Sequence, residues 1–278
     1  MRLRGVRQSR NVEDRRGRRA GGAAGLGGAG LLVVLAIAYF TGIDVSPLLQ
    51  QQPGATSGGP VQLSAEEEQA GVFASQVLAT TEDVWTDIFA EEFGATYQPP
   101  RLVLFSEVTQ SGCGGASGSS GPFYCPADER AYLDTAFFAF MAQRLGARGD
   151  FAAAYVIAHE VAHHVQHELG ILGQANQARA AMSQTDSNRV SVMIELQADC
   201  LSGVWASRLD GILEPGDIEE AIGTAEVIGD DYLQARAGRQ PNPHSFTHGT
   251  SEQRMRWFVT GYQSGDPAAC DTFGAARL

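Results

Sequence analysis

Residues 154–170 read AYVIAHEVAHHVQHELG, and this stretch decides the fold. Ala154, Val156, Ile157, Ala158, Val161 and Ala162 surround the polar residues with small or apolar neighbours, and Gly170 ends the run. That pattern predicts a buried helix over Phe151 to Leu169. Inside it, His159-Glu160-x-x-His163 sets two imidazoles one turn apart, about 6 Å along the axis, so that both can reach one Zn(II) at about 2.1 Å. Glu160 sits beside the first of them, placed to accept a proton from a metal-activated water. Buried without a metal, the three side chains would need other polar partners. His167 repeats the spacing, but it lies about 12 Å from His159 along the axis, too far to share the ion. It is expected with His164 on a polar edge of the helix.

An open catalytic zinc site needs a third protein ligand. Glu195-Leu-Gln-Ala-Asp199 supplies a candidate in the next core helix, expected over Asn188 to Leu209 and flanked by Val192, Met193, Ile194, Leu196 and Ala198. Glu195 and Asp199 share one helix face, so the first can ligate while the second holds the free ring nitrogen of a ligating His. Farther out, Ser64-Ala-Glu-Glu67 is a capping box opening a long amphipathic helix to about residue 92. Arg101 to Ser106, Gly121 to Cys125 and Arg130 to Asp134 read as three short strands, the last leading into an apolar helix to about Leu145. Asp217 to Leu233 and Ser251 to Gln263 read as two more helices. The expected class is α+β, mostly helical with a small three-strand sheet.

The 278 residues carry a net charge of -12, unevenly spread. Residues 1–19 hold eight Arg against Glu13 and Asp14, so this tip is +6 and the remaining chain is -18. An acidic body excludes nucleic acid as a partner, because phosphate binding needs clustered cations. After the tip, residues 20–43 carry no charge and include LLVVLAIAYF at 31–40. A basic tip before an apolar run predicts a transmembrane signal anchor, uncleaved because no small-residue site follows the apolar core. On that expectation residues 1–19 are cytoplasmic, 20–43 span the lipid bilayer, 44–63 form a Gln-, Pro- and Gly-rich linker, and 64–278 lie outside the cytoplasm. The cysteine count, four, fits an oxidising compartment. The Gly- and Ser-rich loop from Cys113 to Cys125 suggests a local disulfide, leaving Cys200 for Cys270, although four cysteines allow three pairings.

Taken together, AYVIAHEVAHHVQ, ELQADC, GPFYCPADERAYLD and SFTHGTSEQR resemble the bacterial neutral zinc metallopeptidase family, and His159-Glu160-x-x-His163 followed by Glu195 and Asp199 resembles the gluzincin arrangement. The resemblance runs from about Ser64 to Phe273 and implies a zincin-like fold, one Zn(II) per chain and hydrolysis of peptide bonds in a peptide or protein substrate. Carried onto this chain, it implies His159, His163 and Glu195 as zinc ligands, Glu160 as general base and Asp199 as the partner of His159. It also implies His248 as a hydrogen-bond donor to the oxyanion, supported by Arg254, with His244 as the rival. Zincins hold extended peptides along an edge strand, and Phe123 and Tyr124 in the Pro-containing strand are candidates for it. The resulting expectation is a membrane-anchored zinc endopeptidase. Its alternatives are a catalytically silent zinc-site scaffold of the envelope and a zinc amidase acting on cell-wall peptide.

Overall fold

The computed structural model describes residues 1–17, 62–117 and 121–278. In chain order its elements begin with β1 (Val12–Asp14), α1 (Ala65–Glu92), β2 (Arg101–Phe105), β3 (Val108–Ser111), β4 (Gly114–Ser117), β5 (Phe123–Cys125), β6 (Arg130–Asp134) and α2 (Ala136–Phe140). There follow α3 (Asp150–Glu168), α4 (Ile171–Arg179), α5 (Gln184–Ser207), α6 (Asp217–Val227), α7 (Asp230–Arg236) and α8 (Ser251–Ser264). α1 starts where the sequence says it should. The Ser64 hydroxyl accepts from the Glu67 N–H, and the Glu67 carboxylate accepts from the Ser64 N–H.

Four strands form one sheet in the order β1-β2-β6-β5, and β3 and β4 form a separate antiparallel hairpin. β2 runs parallel to both β1 and β6, while β5 runs antiparallel to β6 and forms an edge. Leu102 to Phe105 are buried on both faces, as a parallel central strand requires. Leu102, Leu104, Ala131 and Leu133 face the main core, and Val103, Phe105 and Tyr132 join Cys125 in a smaller cluster on the other face. Helix α3 runs through the middle of the main core with Phe151, Ala154, Tyr155, Val161 and Val165 almost wholly excluded from solvent. α8 crosses α5 at backbone distance: a Cβ at Gly261 would collide with the Cys200 carbonyl, and one at Gly203 with the Phe258 carbonyl. Disulfides join Cys113 to Cys125 and Cys200 to Cys270.

The expected fold class needs correction. A mixed α/β arrangement with sheets of four and two strands replaces the single three-strand sheet. The extra strand of the main sheet, β1, comes from the basic tip, whose charges concealed it. Val12, Glu13 and Asp14 pair with Leu102, Val103 and Leu104. Arg16 is buried against Asp14 and donates to the Glu67 carbonyl, Gln76 donates to the carbonyls of Leu3 and Val6, and the Met1 ammonium lies 2.6 Å from Asp150 and 3.1 Å from Asp217. Met1, Arg2 and Arg7 are therefore ion-paired to carboxylates of the body, and Arg15 and Arg16 to Glu13 and Asp14 of the tip itself.

The expected single-pass placement falls with it. Residues 1–17 belong to the same packed unit as the helical body, so a bilayer cannot separate them into a cytoplasmic tip and an outer domain. Among the described residues no helix is long and apolar enough to cross a membrane, and the bilayer loses its support as a partner. The anchor expected at 20–43 and the linker expected at 44–63, save its last two residues, lie outside the described residues.

Candidate active site

Small side chains on α3 let neighbouring elements close around it, which buries the motif: His159 is 6% exposed and Glu160 8%. The two imidazoles stand one turn apart with ring centroids 4.7 Å from each other. α5 packs beside α3 and carries Glu195 to their open side. Glu195 Oε2 lies 3.1 Å from His159 Nε2, and Oε1 lies 3.6 Å from His163 Nε2. One donor atom from each residue falls within 4.8 Å of the others, and ligands bound tetrahedrally at about 2.1 Å would stand about 3.4 Å apart. Two imidazole nitrogens and a carboxylate oxygen suit Zn(II). Glu160 accepts no hydrogen bond from the described residues, and burial pushes its carboxyl above the ordinary range although the two His oppose this.

Behind His159 stands an ionic network. Asp199 is fully buried, with Oδ1 2.9 Å from His159 Nδ1. Arg254 grips the same carboxylate with two bonds, Nε to Oδ2 at 2.8 Å and an Nη to Oδ1 at 2.9 Å. The Tyr155 hydroxyl donates to Oδ1 as well. Burial works against the Asp199 charge, but Arg254 and His159 prevail and its pKa falls to about 2. Burial works against the His159 charge too, yet Asp199 and Glu195 raise its pKa to about 10. Two carboxylates, Asp199 and Glu195, thus face the His159 ring from its two nitrogens and favour positive charge there.

His163 has a neutral neighbour. Its Nδ1 lies 2.8 Å from Oε1 of Gln166, a residue wholly excluded from solvent. Sequence reasoning overlooked Gln166, Tyr155 and the Asp230 described below. A polar side chain one turn beyond His163 in an apolar helix was the available signal for the first.

The expected helix from Asp217 to Leu233 is two helices, broken where Gly229 passes too close to the Ser251 backbone to carry a side chain. The break lifts Asp230 to the start of α7, where Oδ2 accepts from the backbone N–H of Thr247, His248 and Gly249. His248 is half-exposed, with Nδ1 3.4 Å from Asp230 Oδ1 and 3.0 Å from the Thr247 hydroxyl. Desolvation works to lower its pKa, but the charges of Glu195 and Asp230 raise it. The exposed His244 meets α5 through its carbonyl, which accepts from Asn188.

The remaining histidines of α3 face away. His164 is bolted between the Tyr124 hydroxyl at 3.0 Å and the Gln98 carbonyl at 2.6 Å, and His167 lies 3.6 Å from Glu129. Tyr124 therefore packs against the back of α3, while Phe123 stacks on Tyr132. A second carboxylate cluster, Asp150, Asp217 and Glu220, is answered by the Met1 ammonium.

Comparison with known proteins gives the family of the chain. Residues 1–273 match the family described as "Putative neutral zinc metallopeptidase". The Escherichia coli K12 protein described as "Uncharacterized protein YpfJ" is 47% identical, over 99% of both chains. An uncharacterized protein of Mycobacterium tuberculosis H37Rv is 40% identical, over 87% of this chain and 86% of its own. No solved structure matches the chain.

Proposed function

The chain belongs to the family of neutral zinc metallopeptidases, and from that premise we propose that it is a zinc-dependent endopeptidase with the gluzincin arrangement of ligands. One observation carries the reading: His159, His163 and Glu195 converge on one point beside the unengaged carboxylate of Glu160. These three residues would hold one Zn(II), which supplies a Lewis acid for the scissile carbonyl and makes water acidic enough to be deprotonated near neutral pH. Glu160 takes the proton of the attacking water and returns it to the leaving amine. Its raised pKa suits both halves of that transfer. His248 donates a hydrogen bond to the oxyanion, with its ring steadied by Asp230 and Thr247. Asp199 keeps the proton of His159 on Nδ1, so that Nε2 faces the ion.

The test is metal analysis of the full chain together with hydrolysis of an unfolded protein such as casein. Wild type should hold near one zinc per chain and cleave; Glu160→Gln should keep the zinc and lose cleavage by several orders of magnitude. His248→Ala should cost about 100- to 1,000-fold in kcat. His244→Ala should change little. A folded, metal-free wild type would sink the proposal, and zinc binding without cleavage of any unfolded protein would turn it toward a scaffold.

A further inference from the structure

A histidine can present Nε2 to a metal only if its proton sits on Nδ1, so whatever faces Nδ1 decides whether the ligand is ready. For His163 the deciding atoms lie two residues deep. Gln166 Nε2 donates to the Ile194 carbonyl at 2.8 Å and to Gln197 Oε1 at 2.9 Å. Gln197 Nε2 donates in turn to the Cys270 carbonyl at 3.0 Å. A backbone carbonyl only accepts, so the Ile194 carbonyl forces the amide nitrogen of Gln166 toward α5 and its oxygen toward His163. The Cys270 carbonyl likewise turns the oxygen of Gln197 toward Gln166. Neither amide can flip without setting oxygen against oxygen in a place closed to water: Gln166 is 0% exposed and Gln197 7%. Both hydrogens of the Gln166 amide are used, and its oxygen can do nothing for His163 but accept.

We propose that Gln166 is a positioning residue that holds His163 with the proton on Nδ1 and Nε2 open to a metal, and that Gln197 and the Cys270 carbonyl fix Gln166 in turn. This rests on the proposed metal site and adds to it a relay from α5 and the C-terminal turn. The Cys200–Cys270 disulfide ties that turn to α5, and Thr272 donates to the Met193 carbonyl at 2.7 Å on the same helix. The end of the relay is therefore fastened at Cys270 and again two residues beyond it.

Two measurements on the full chain test it. The first is zinc affinity by chelator competition, with thermal unfolding followed in parallel, for wild type, Gln166→Met and Gln166→Glu. Gln166→Met removes the acceptor and should weaken zinc by about 10-fold. Gln166→Glu restores an acceptor for Nδ1 but sets a carboxylate oxygen against the Ile194 carbonyl, so it should recover most of the affinity while melting below wild type. A residue serving only to hold the fold together would rank affinity in the order of melting temperature. The second is the spectrum of wild type loaded with cadmium-113 and labelled with nitrogen-15 histidine, which needs no variant to fold. Coupling of cadmium to Nε2 of His163 is expected, and coupling to Nδ1 would overturn the proposal. So would zinc affinity in Gln166→Met within about twofold of wild type. Wild type that binds neither metal would overturn the metal-site reading itself, and this inference with it.

Discussion

His159 and His163 sit one turn apart on the same helix, yet they are backed by opposite chemistry. Behind His159 is a buried anion, Asp199, whose charge is balanced by a bidentate Arg254 and a Tyr155 hydroxyl. Behind His163 is an uncharged pair of amides whose directions are set by two backbone carbonyls. The ionic device raises the basicity of its ring, and it makes the core depend on every member, because a buried carboxylate stripped of its partner is costly. The amide device gives direction without charge and so asks for no counterion. One site thus carries a strong but fragile support and a weaker, self-contained one.

The hardest blow to the ionic side is Arg254→Met, which leaves Asp199 buried with no cationic partner but His159. Loss of about 3–5 kcal/mol is expected, read as a fall in the denaturant midpoint with unchanged m-value. The matching blow to the amide side is Cys200→Ser with Cys270→Ser. Opening a loop of 70 residues should cost about 4 kcal/mol by loop entropy, and zinc binding should weaken only as far as the Cys270 carbonyl drifts from Gln197. Asp199→Asn should weaken zinc more than Gln166→Met does, by about 100-fold, or roughly 2.7 kcal/mol, against about 10-fold, because it also leaves Arg254 without its carboxylate. If Asp199→Asn and Gln166→Met weaken zinc equally, the charge behind His159 adds nothing beyond direction, and the contrast collapses. The mildest change is Tyr155→Phe, which removes one of three donors to Asp199. It should cost about 1 kcal/mol in unfolding free energy and leave zinc affinity nearly untouched.

The sequence disclosed what local pattern controls. The capping box at Ser64, the strand Arg130–Asp134 and the helices bearing His159 and Glu195 follow from spacing and neighbours within a turn or two. β1 was hidden because its residues, Val12, Glu13 and Asp14, do not alternate in polarity, and its partner strand lies some ninety positions away. Arg16 reads as a surface charge until Asp14 and the Glu67 carbonyl are seen around it. The helix break at Gly229 depends on a backbone crossing that periodicity does not record, and Asp230 was missed with it. The relay through Gln166 escaped notice for a related reason: glutamine is unremarkable until two distant carbonyls are placed beside it.

The N-terminal strand also bears on how the chain acquires its fold. Residues 1–17 are made before the body they pack on, and the carboxylate partners of Met1 lie 149 and 216 residues downstream. At about 5–20 residues per second those partners appear some 10–40 s later. Glu67 and β2 appear sooner, 51 and about 90 residues after Arg16 and β1, so the strand and Arg16 can dock before Met1 finds its carboxylates. Residues 1–17 would thus dock in stages, from Arg16 and β1 back toward Met1, and a nascent chain halted before Asp150 would hold its strand pairing while its ammonium still lacked both carboxylates.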